Sequence, residues 1–475
     1  MGASLKMRAR LLSATQFYER FLVMSDLHES LALSEELLAF IKQSPSMFHT
    51  TQTIKDYLLE NGFTYLSEGS SWDVQSGGSY FTTRNNSSIV AWKVGEKYRE
   101  AQTSNADAPY HFQLAVAHGD SPTYKVKAQP ELTGEGNSLR LNTEAYGGML
   151  DHTWFDRPLG VAGRVLVKVG NKVESRLVNI EDDVVMIPSL AIHLEHKNGL
   201  SPEFNRAKDL MPLFSAGELN PGAFNALVAD AAGVSQEDIL SRDLFLVDHT
   251  GGRIWGAKKE FVSAGHLDDL QCAFVALKAF LASSNEQDIS VYTCFDNEEV
   301  GSNTKQGAKS TFLKDTLQRV NATLGFTQED YYRALSASLL VSCDNAHAVH
   351  PNYPEKHDAT NKPYLNGGMV IKEAARQSYC TDAFSRAIVE AIWKQQNVPY
   401  QIFANRSDMP GGSTLGNLSN IQASMHAVDV GLPQLAMHSV YETAGTKDTL
   451  LGYQALKAFY DTCVCITDAD SFELR

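Results

Sequence analysis

His118 and Asp120 stand just past an apolar run, and three further runs end the same way. Asp296, Asn297, Glu298 and Glu299 follow Ile289–Phe295, Asp344 follows Leu339–Cys343, and His438 follows residues 434–437. Asp268 opens an apolar segment at 267–283. Imidazole nitrogen and carboxylate oxygen are the donors that zinc-like ions accept. Two such ions about 3.5–4 Å apart need a carboxylate between them. Asp268, fixed at a helix start, can bridge, while His118 and Asp344 complete one side and Glu299 and His438 the other. Each ion then has three protein ligands and an open position. Three carboxylates against two divalent cations leave one positive charge in excess, which suits hydroxide as the attacking group. Glu298 and Glu299 diverge in a turn, so Glu299 binds metal while Glu298 takes the proton from the nucleophilic water. Asp120 can hydrogen-bond the far N–H of His118 and fix its tautomer. Singly, each of these is an ordinary solvated pair or an acidic helix start. Five separate element ends all finishing in metal ligands point to a site.

Those residues share a rim only if their elements do. After residue 248 strands alternate with long amphipathic helices, including 267–283, where Leu270, Ala273, Phe274, Leu277 and Leu281 form one stripe, and a helix near 382–394. That alternation predicts an α/β fold, a mostly parallel mixed sheet sandwiched by helices. In such sheets ligands gather beyond the carboxyl ends of the strands. Toward the N-terminus, 34–42 and 51–60 read as helices, the second ended by Asn61-Gly62, and 80–83, 89–94 and 111–117 read as strands. From about Lys125 to Asp248 short alternating segments such as 163–169 and 184–187 indicate an inserted β-rich domain. The expected division is residues 28–124 and 249–475 for a catalytic domain and 125–248 for the insertion. Residues 1–27 carry Lys6, Arg8, Arg10 and Arg20 without a continuous apolar stretch. They read as a disordered or loosely docked extension with some likeness to a transit peptide, the ordered protein starting near Leu31.

Acidic residues number 56 against 41 Lys plus Arg, and the net charge of −15 repels phosphate backbones. No nucleic-acid partner is expected. No run of about 18 apolar residues occurs, so no membrane partner is expected either. The six cysteines form no CxxC pair, which favours a reducing, cytoplasmic setting.

Longer motifs surround these residues: Ala117-His118-Gly119-Asp120-Ser121-Pro122, Tyr146-Gly147-Gly148, Thr153-Trp154-Phe155-Asp156-Arg157, Ile187-Pro188-Ser189-Leu190-Ala191-Ile192-His193, Leu267-Asp268-Asp269, Asp296 to Ser302, Asp344 to Tyr353, and Gln434 to Ser439. With them the chain resembles the aspartyl aminopeptidases, a family of di-zinc metallopeptidases, over nearly its whole length from about Leu31. The segment Ser407-Asp408-Met409-Pro410-Gly411-Gly412-Ser413-Thr414 is similar to bacterial members. The resemblance implies two zinc ions, removal of N-terminal Asp or Glu from peptides, and the same ligands and base that the strand ends suggest. It further implies that the insertion is a dimerisation domain whose His193 reaches a neighbour's active site, within a dimer-based homo-oligomer that extends to a dodecamer. Lys372 falls where the family pairs the substrate's acidic side chain, and Tyr379, His347 and Gly412 fall with the substrate-binding residues. Two positions depart from the family pattern. Gly119 replaces a larger residue and is expected to loosen the backbone, and His266 replaces an Arg and is expected to titrate or to add a ligand. Alternative readings are a di-metal aminopeptidase or deacylase of neutral specificity, or a catalytically silent assembly protein. Intact ligands at all five metal positions argue against silence.

Overall fold

Nine strands form the sheet that carries the rim. In the computed structural model, which describes residues 27–100, 108–194, 204–409 and 411–475, they run in the order Thr64–Tyr65, Ser79–Arg84, Ser88–Val94, Ile289–Phe295, Phe112–His118, Leu339–Cys343, His426–Gly431, Met369–Glu373 and Tyr400–Ala404. Five of the eight pairings are parallel and three antiparallel, giving the mostly parallel mixed sheet expected. The four central strands, from Ile289–Phe295 to His426–Gly431, all run the same way. Three of them are buried at every residue. Largely apolar runs therefore replace alternation, as for strands covered on both faces.

The helix Leu267–Ala282 packs on the sheet beneath helix Thr446–Asp461. It is buried nearly all round, with Cys272, Val275 and Ala276 as inaccessible as Leu270 and Phe274. The single stripe expected from sequence is thus too narrow, and Leu281 is only half-buried. A helix covered by a layer on each side needs apolar residues on all faces. Nearer the N-terminus, the helix expected at 34–42 begins at residue 27. Ser34 does not cap it: its hydroxyl donates to the Thr446 carbonyl at 3.1 Å. The second helix spans Met47–Glu60 and stops at Asn61-Gly62, where Gly62 takes φ 80°. The extension expected over residues 1–27 lies, apart from Leu27, outside the described residues.

Between Thr123 and Val247 six strands close into a barrel in the order Ile239–Val247, Thr123–Thr133, Leu139–Tyr146, Leu213–Ser215, Lys172–Met186 and Pro158–Val169. Val161, Val165, Val178, Leu244 and Leu246 fill it. A smaller five-stranded sheet, Arg253–Trp255, Phe261–Ala264, Glu442–Gly445, Pro433–Leu435 and Ala346–His347, lies at the rim. It takes up the run expected at 434–437 as a strand. That strand ends at Leu435, because Ala436 and His438 adopt φ of 57° and 65°, outside the extended region.

Candidate metal centre

Register brings the candidate ligands together. His118 closes its strand and pairs with Phe295, so the turn bearing Glu298 and Glu299 leaves the next strand alongside it. Asp344 leaves the strand on the other side of His118. Three neighbouring strands, each about 4.8 Å from the next, therefore deliver four of the side chains. Asp268 enters from the helix start. Its own φ and ψ of −82° and 111° are not helical, and its peptide bond to Asp269 is cis. His438 comes from the turn after Pro433–Leu435.

Candidate ligand atoms gather in three overlapping groups, within each of which they lie within 4.8 Å of one another: His118, Asp268, Asp269 and Asp344; His118, Glu298 and Glu299; and Asp268, Glu299 and His438. The two oxygens of Asp268 face different imidazoles. Oδ1 is 3.6 Å from His118 Nε2, and Oδ2 is 3.4 Å from His438 Nε2. His438 Nε2 also lies 3.4 Å from Glu299 Oε2. Donors bound to zinc at 2.0–2.1 Å in a tetrahedron sit about 3.3 Å apart, so these separations suit a shared cation. Two buried carboxylate oxygens, Asp268 Oδ1 and Glu299 Oε1, have no hydrogen-bond partner among the described residues. An orphaned buried acceptor is costly unless a cation or donor faces it. The donor set and its unsatisfied atoms fit metal.

Electrostatics agree. Burial, reinforced by Asp344 and Asp120, pushes the Glu298 carboxyl up to about 8, and burial with repulsion from Asp268 raises Glu299 well above the usual range. Burial alone would lower His118, but Asp120 and Asp268 hold it well above its ordinary value. The same contest, won by Asp268, raises His438. So many confined carboxylates favour cations of any kind.

The Asp120 carboxylate has a different main task from the one its spacing suggests. The nearest partner of His118 Nδ1 is the Asp120 main-chain oxygen at 3.0 Å, with the carboxylate at 3.5 Å. That carboxylate accepts the N–H groups of Glu298 and Glu299 at 3.1 and 3.2 Å and the Tyr146 hydroxyl at 2.8 Å. It therefore holds the turn that presents both glutamates. Gly119 is pinned, contrary to the looseness expected of it. Its N–H donates to Phe295 O at 2.8 Å, and its carbonyl accepts Thr50 Oγ1 at 3.1 Å. A Cβ there would lie 2.9 Å from Thr50 Cγ2 and 3.0 Å from Cys294 Sγ. His266 adds no ligand, since it lines a small cavity with Ser44, Ser46 and Met47 and belongs to none of the three groups.

Lys372 is buried, with Nζ 3.8 Å from Asp344 Oδ2 and 5.7 Å from the centre of the Tyr379 ring. Burial would lower its pKa, but Asp344, Tyr379 and Asp429 hold the ammonium above its ordinary value. Tyr379 is buried beside it and touches Asn405, which packs on Gly411. His347 is exposed at the rim yet within electrostatic reach of Lys372, Asp268 and His438. Gly412 is exposed, with open space where a Cβ would stand. His193 is exposed in a barrel turn beside Leu190, Ile192 and Leu194, which are 59%, 80% and 68% exposed. Among the described residues no hydrogen bond or ion pair joins His193 or Gly412 to the cluster.

Two residues at the centre escape sequence reasoning. Asp269 Oδ2 accepts the His118 N–H at 3.1 Å and its Oδ1 accepts that of Asn345 at 3.2 Å, tying two strand ends together. Its place next to Asp268 was the available signal. Glu442 is buried and bonded to two ligand segments, but in the sequence it is an acid after a turn like many others.

Comparisons with known proteins fall on one family. The model described as "Aminopeptidase I zinc metalloprotease (M18)" matches residues 40–460. A probable M18 family aminopeptidase 2 of Clostridium novyi is 43% identical over 436 residues, covering 90% of this chain and 98% of the relative. An aspartyl aminopeptidase of Caenorhabditis elegans is 35% identical over 458 residues, covering 90% and 95%. Among solved structures, the mApe1 dodecamer of S. cerevisiae is similar at 28% identity with a TM-score of 0.77, covering 90% of this chain and 96% of the other. The sheet, the clustered histidines and carboxylates and these matches agree: the chain belongs to the M18 family of zinc metallopeptidases, the aminopeptidase I family.

Proposed function

We propose that this chain is a di-zinc aminopeptidase that removes Asp or Glu from the N-termini of peptides. The observation that carries the reading is the two-sided Asp268 carboxylate, with one oxygen toward His118 and the other toward His438. His118, Asp268 and Asp344 would hold one ion, and Asp268, Glu299 and His438 the other. When bound, zinc supplies Lewis-acid polarisation of the scissile carbonyl and acidifies water. Glu298 accepts the proton of the attacking water on its carboxylate and returns it to the nitrogen of the leaving amine. Asp120 orients Glu298 through the backbone of its turn. Lys372 pairs its ammonium with the carboxylate of the substrate's first side chain, beside Tyr379, with His347 and Gly412 toward the outer pocket.

His193 of a partner subunit would complete the site by donating to the oxygen of the carbonyl under attack. Exposed Leu190, Ile192 and Leu194 around it support a self-association surface on the barrel, which would make residues 125–248 a dimerisation domain. The dodecameric relative supports a dimer-based homo-oligomer. The six cysteines form no disulfide, which supports a reducing, cytoplasmic setting, and no helix among the described residues is long and apolar enough to cross a membrane. A second reading, neutral first residues, is favoured by the 3.8 Å approach of Lys372 to Asp344, which already compensates part of its charge. Zinc content measured with hydrolysis of Asp-leading and Leu-leading peptides, with and without chelator, decides between them. The proposal expects two zinc ions per chain and chelator-sensitive preference for Asp. A chain that binds zinc and prefers Leu refutes the acidic specificity.

A further inference from the structure

Glu442 joins two ligands that arrive from opposite sides of the centre. It opens the strand Glu442–Gly445 and pairs with Ala264 at the end of Phe261–Ala264, so its backbone is fixed in the small sheet. Its side chain is buried. Oε2 accepts the N–H of Asp268 at 2.9 Å, and Oε1 accepts the N–H of His438 at 2.7 Å. Both recipients have unusual backbones for their places. Asp268 is extended where its segment turns helical, and His438 is in the left-handed region at φ 65°. Non-glycine residues stay in that region only where their surroundings hold them. The same two residues bring Oδ2 and Nε2 to 3.4 Å. We infer that Glu442 is a positioning residue, whose carboxylate sets the separation between Asp268 and His438 and so shapes the His438 side of the centre. This rests on the di-zinc reading.

A carboxylate presents two acceptors, whereas a carboxamide presents one acceptor and one donor. In Glu442→Gln the amide nitrogen must therefore face either the Asp268 or the His438 N–H. No atom of the proposed ligand set changes, so any effect on metal is transmitted through position.

The test compares wild type with Glu442→Gln by zinc stoichiometry and chelator competition, and by the visible spectrum of the cobalt(II)-substituted chains. Loss of an outer support of this kind weakens metal binding about 10–100-fold. That loss is expected for one of the two ions, with a changed cobalt spectrum, a lower kcat and an unchanged KM. A purely structural contribution would lower thermal stability without altering the cobalt spectrum. Equal zinc affinities and identical spectra overturn the role of Glu442. A wild-type chain that takes up fewer than two ions overturns the di-zinc reading and this inference with it. Should Glu442→Gln fail to fold, hydrogen exchange on zinc-free wild type decides. The Asp268 and His438 amides are expected to be protected, and exchange as fast as that of an exposed turn overturns the inference.

Discussion

Replacing Lys372 with methionine keeps the side chain's length and removes its charge. Two functions should be lost, and they can be separated. The ammonium lies 3.8 Å from Asp344 Oδ2, so its removal disturbs a proposed ligand whatever the substrate. A second loss appears only when the substrate carries an acid of its own. Unit charges about 4 Å apart at an effective dielectric of about 20 attract by about 4 kcal/mol, close to a thousandfold in kcat/KM. Full burial of Lys372 makes that dielectric appropriate and limits screening by salt. The assay measures kcat/KM for two peptides that differ only in Asp or Leu at the first position, with zinc content determined for each preparation. Hydrolysis of the Asp peptide is expected to fall about a thousandfold. Hydrolysis of the Leu peptide should fall no more than about tenfold, the part that reports on Asp344. If both fall equally, Lys372 acts on the metal centre alone. If the ratio shifts by less than about tenfold, or about 1.4 kcal/mol, the assignment of acidic specificity to this residue is refuted.

Three further outcomes test the rest. Glu298→Gln should retain both zinc ions by metal analysis yet lose about 10²–10⁴ in kcat, and a variant of near-normal turnover would remove Glu298 from proton transfer. Stripping zinc should make stability depend on pH with a definite sign. Glu298 and Glu442 are both raised to about 8, chiefly by burial, so the folded metal-free chain binds more protons than the unfolded one. Its stability must fall as pH rises from about 4.5 to about 8, and melting curves with chelator at pH 5.5 and 8 should diverge in that direction, while a reversed order contradicts it. Finally, His193→Ala and Glu298→Gln chains, each inactive alone, should regain activity when mixed and reassembled. An inactive mixture, with exchange of subunits verified, would show that His193 does not serve a neighbouring site.

How far the sequence could be read depended on what surrounds each residue. Ile289–Phe295 and Leu339–Cys343 stood out because strands covered on both faces are largely apolar, and their charged successors then mark the rim. His426–Gly431 was hidden because it carries Asp429, a fully buried acid that looks like a surface residue in sequence. Its carboxylate is satisfied by the Thr414 hydroxyl and the Cys380 N–H, partners 15 and 49 residues away. Glu442 and Asp269 were obscured for the same reason, since a buried acid is recognisable only through the distant amides that neutralise its need for water. The Asp120 role was half legible: a polar residue beside His118 is evident, but the two glutamate amides it accepts belong to the turn after another strand. Gly119 could be interpreted only with Thr50 and Cys294 in view.

Tyr146 ends a barrel strand, and its hydroxyl reaches the very carboxylate that carries the Glu298 and Glu299 turn. Beside it, Gly147 at φ 85° lies so close that an added Cβ would stand 3.1 Å from that of Glu299. The barrel is thereby geared to the chemistry rather than hung beside it. A tilt of the barrel, by packing against another copy or by a load on its outer wall, would move the turn of Glu298 and Glu299 with it, and both proposed roles together, with nothing entering the cleft. In such a molecule the proposed chemistry would feel what leans on its flank.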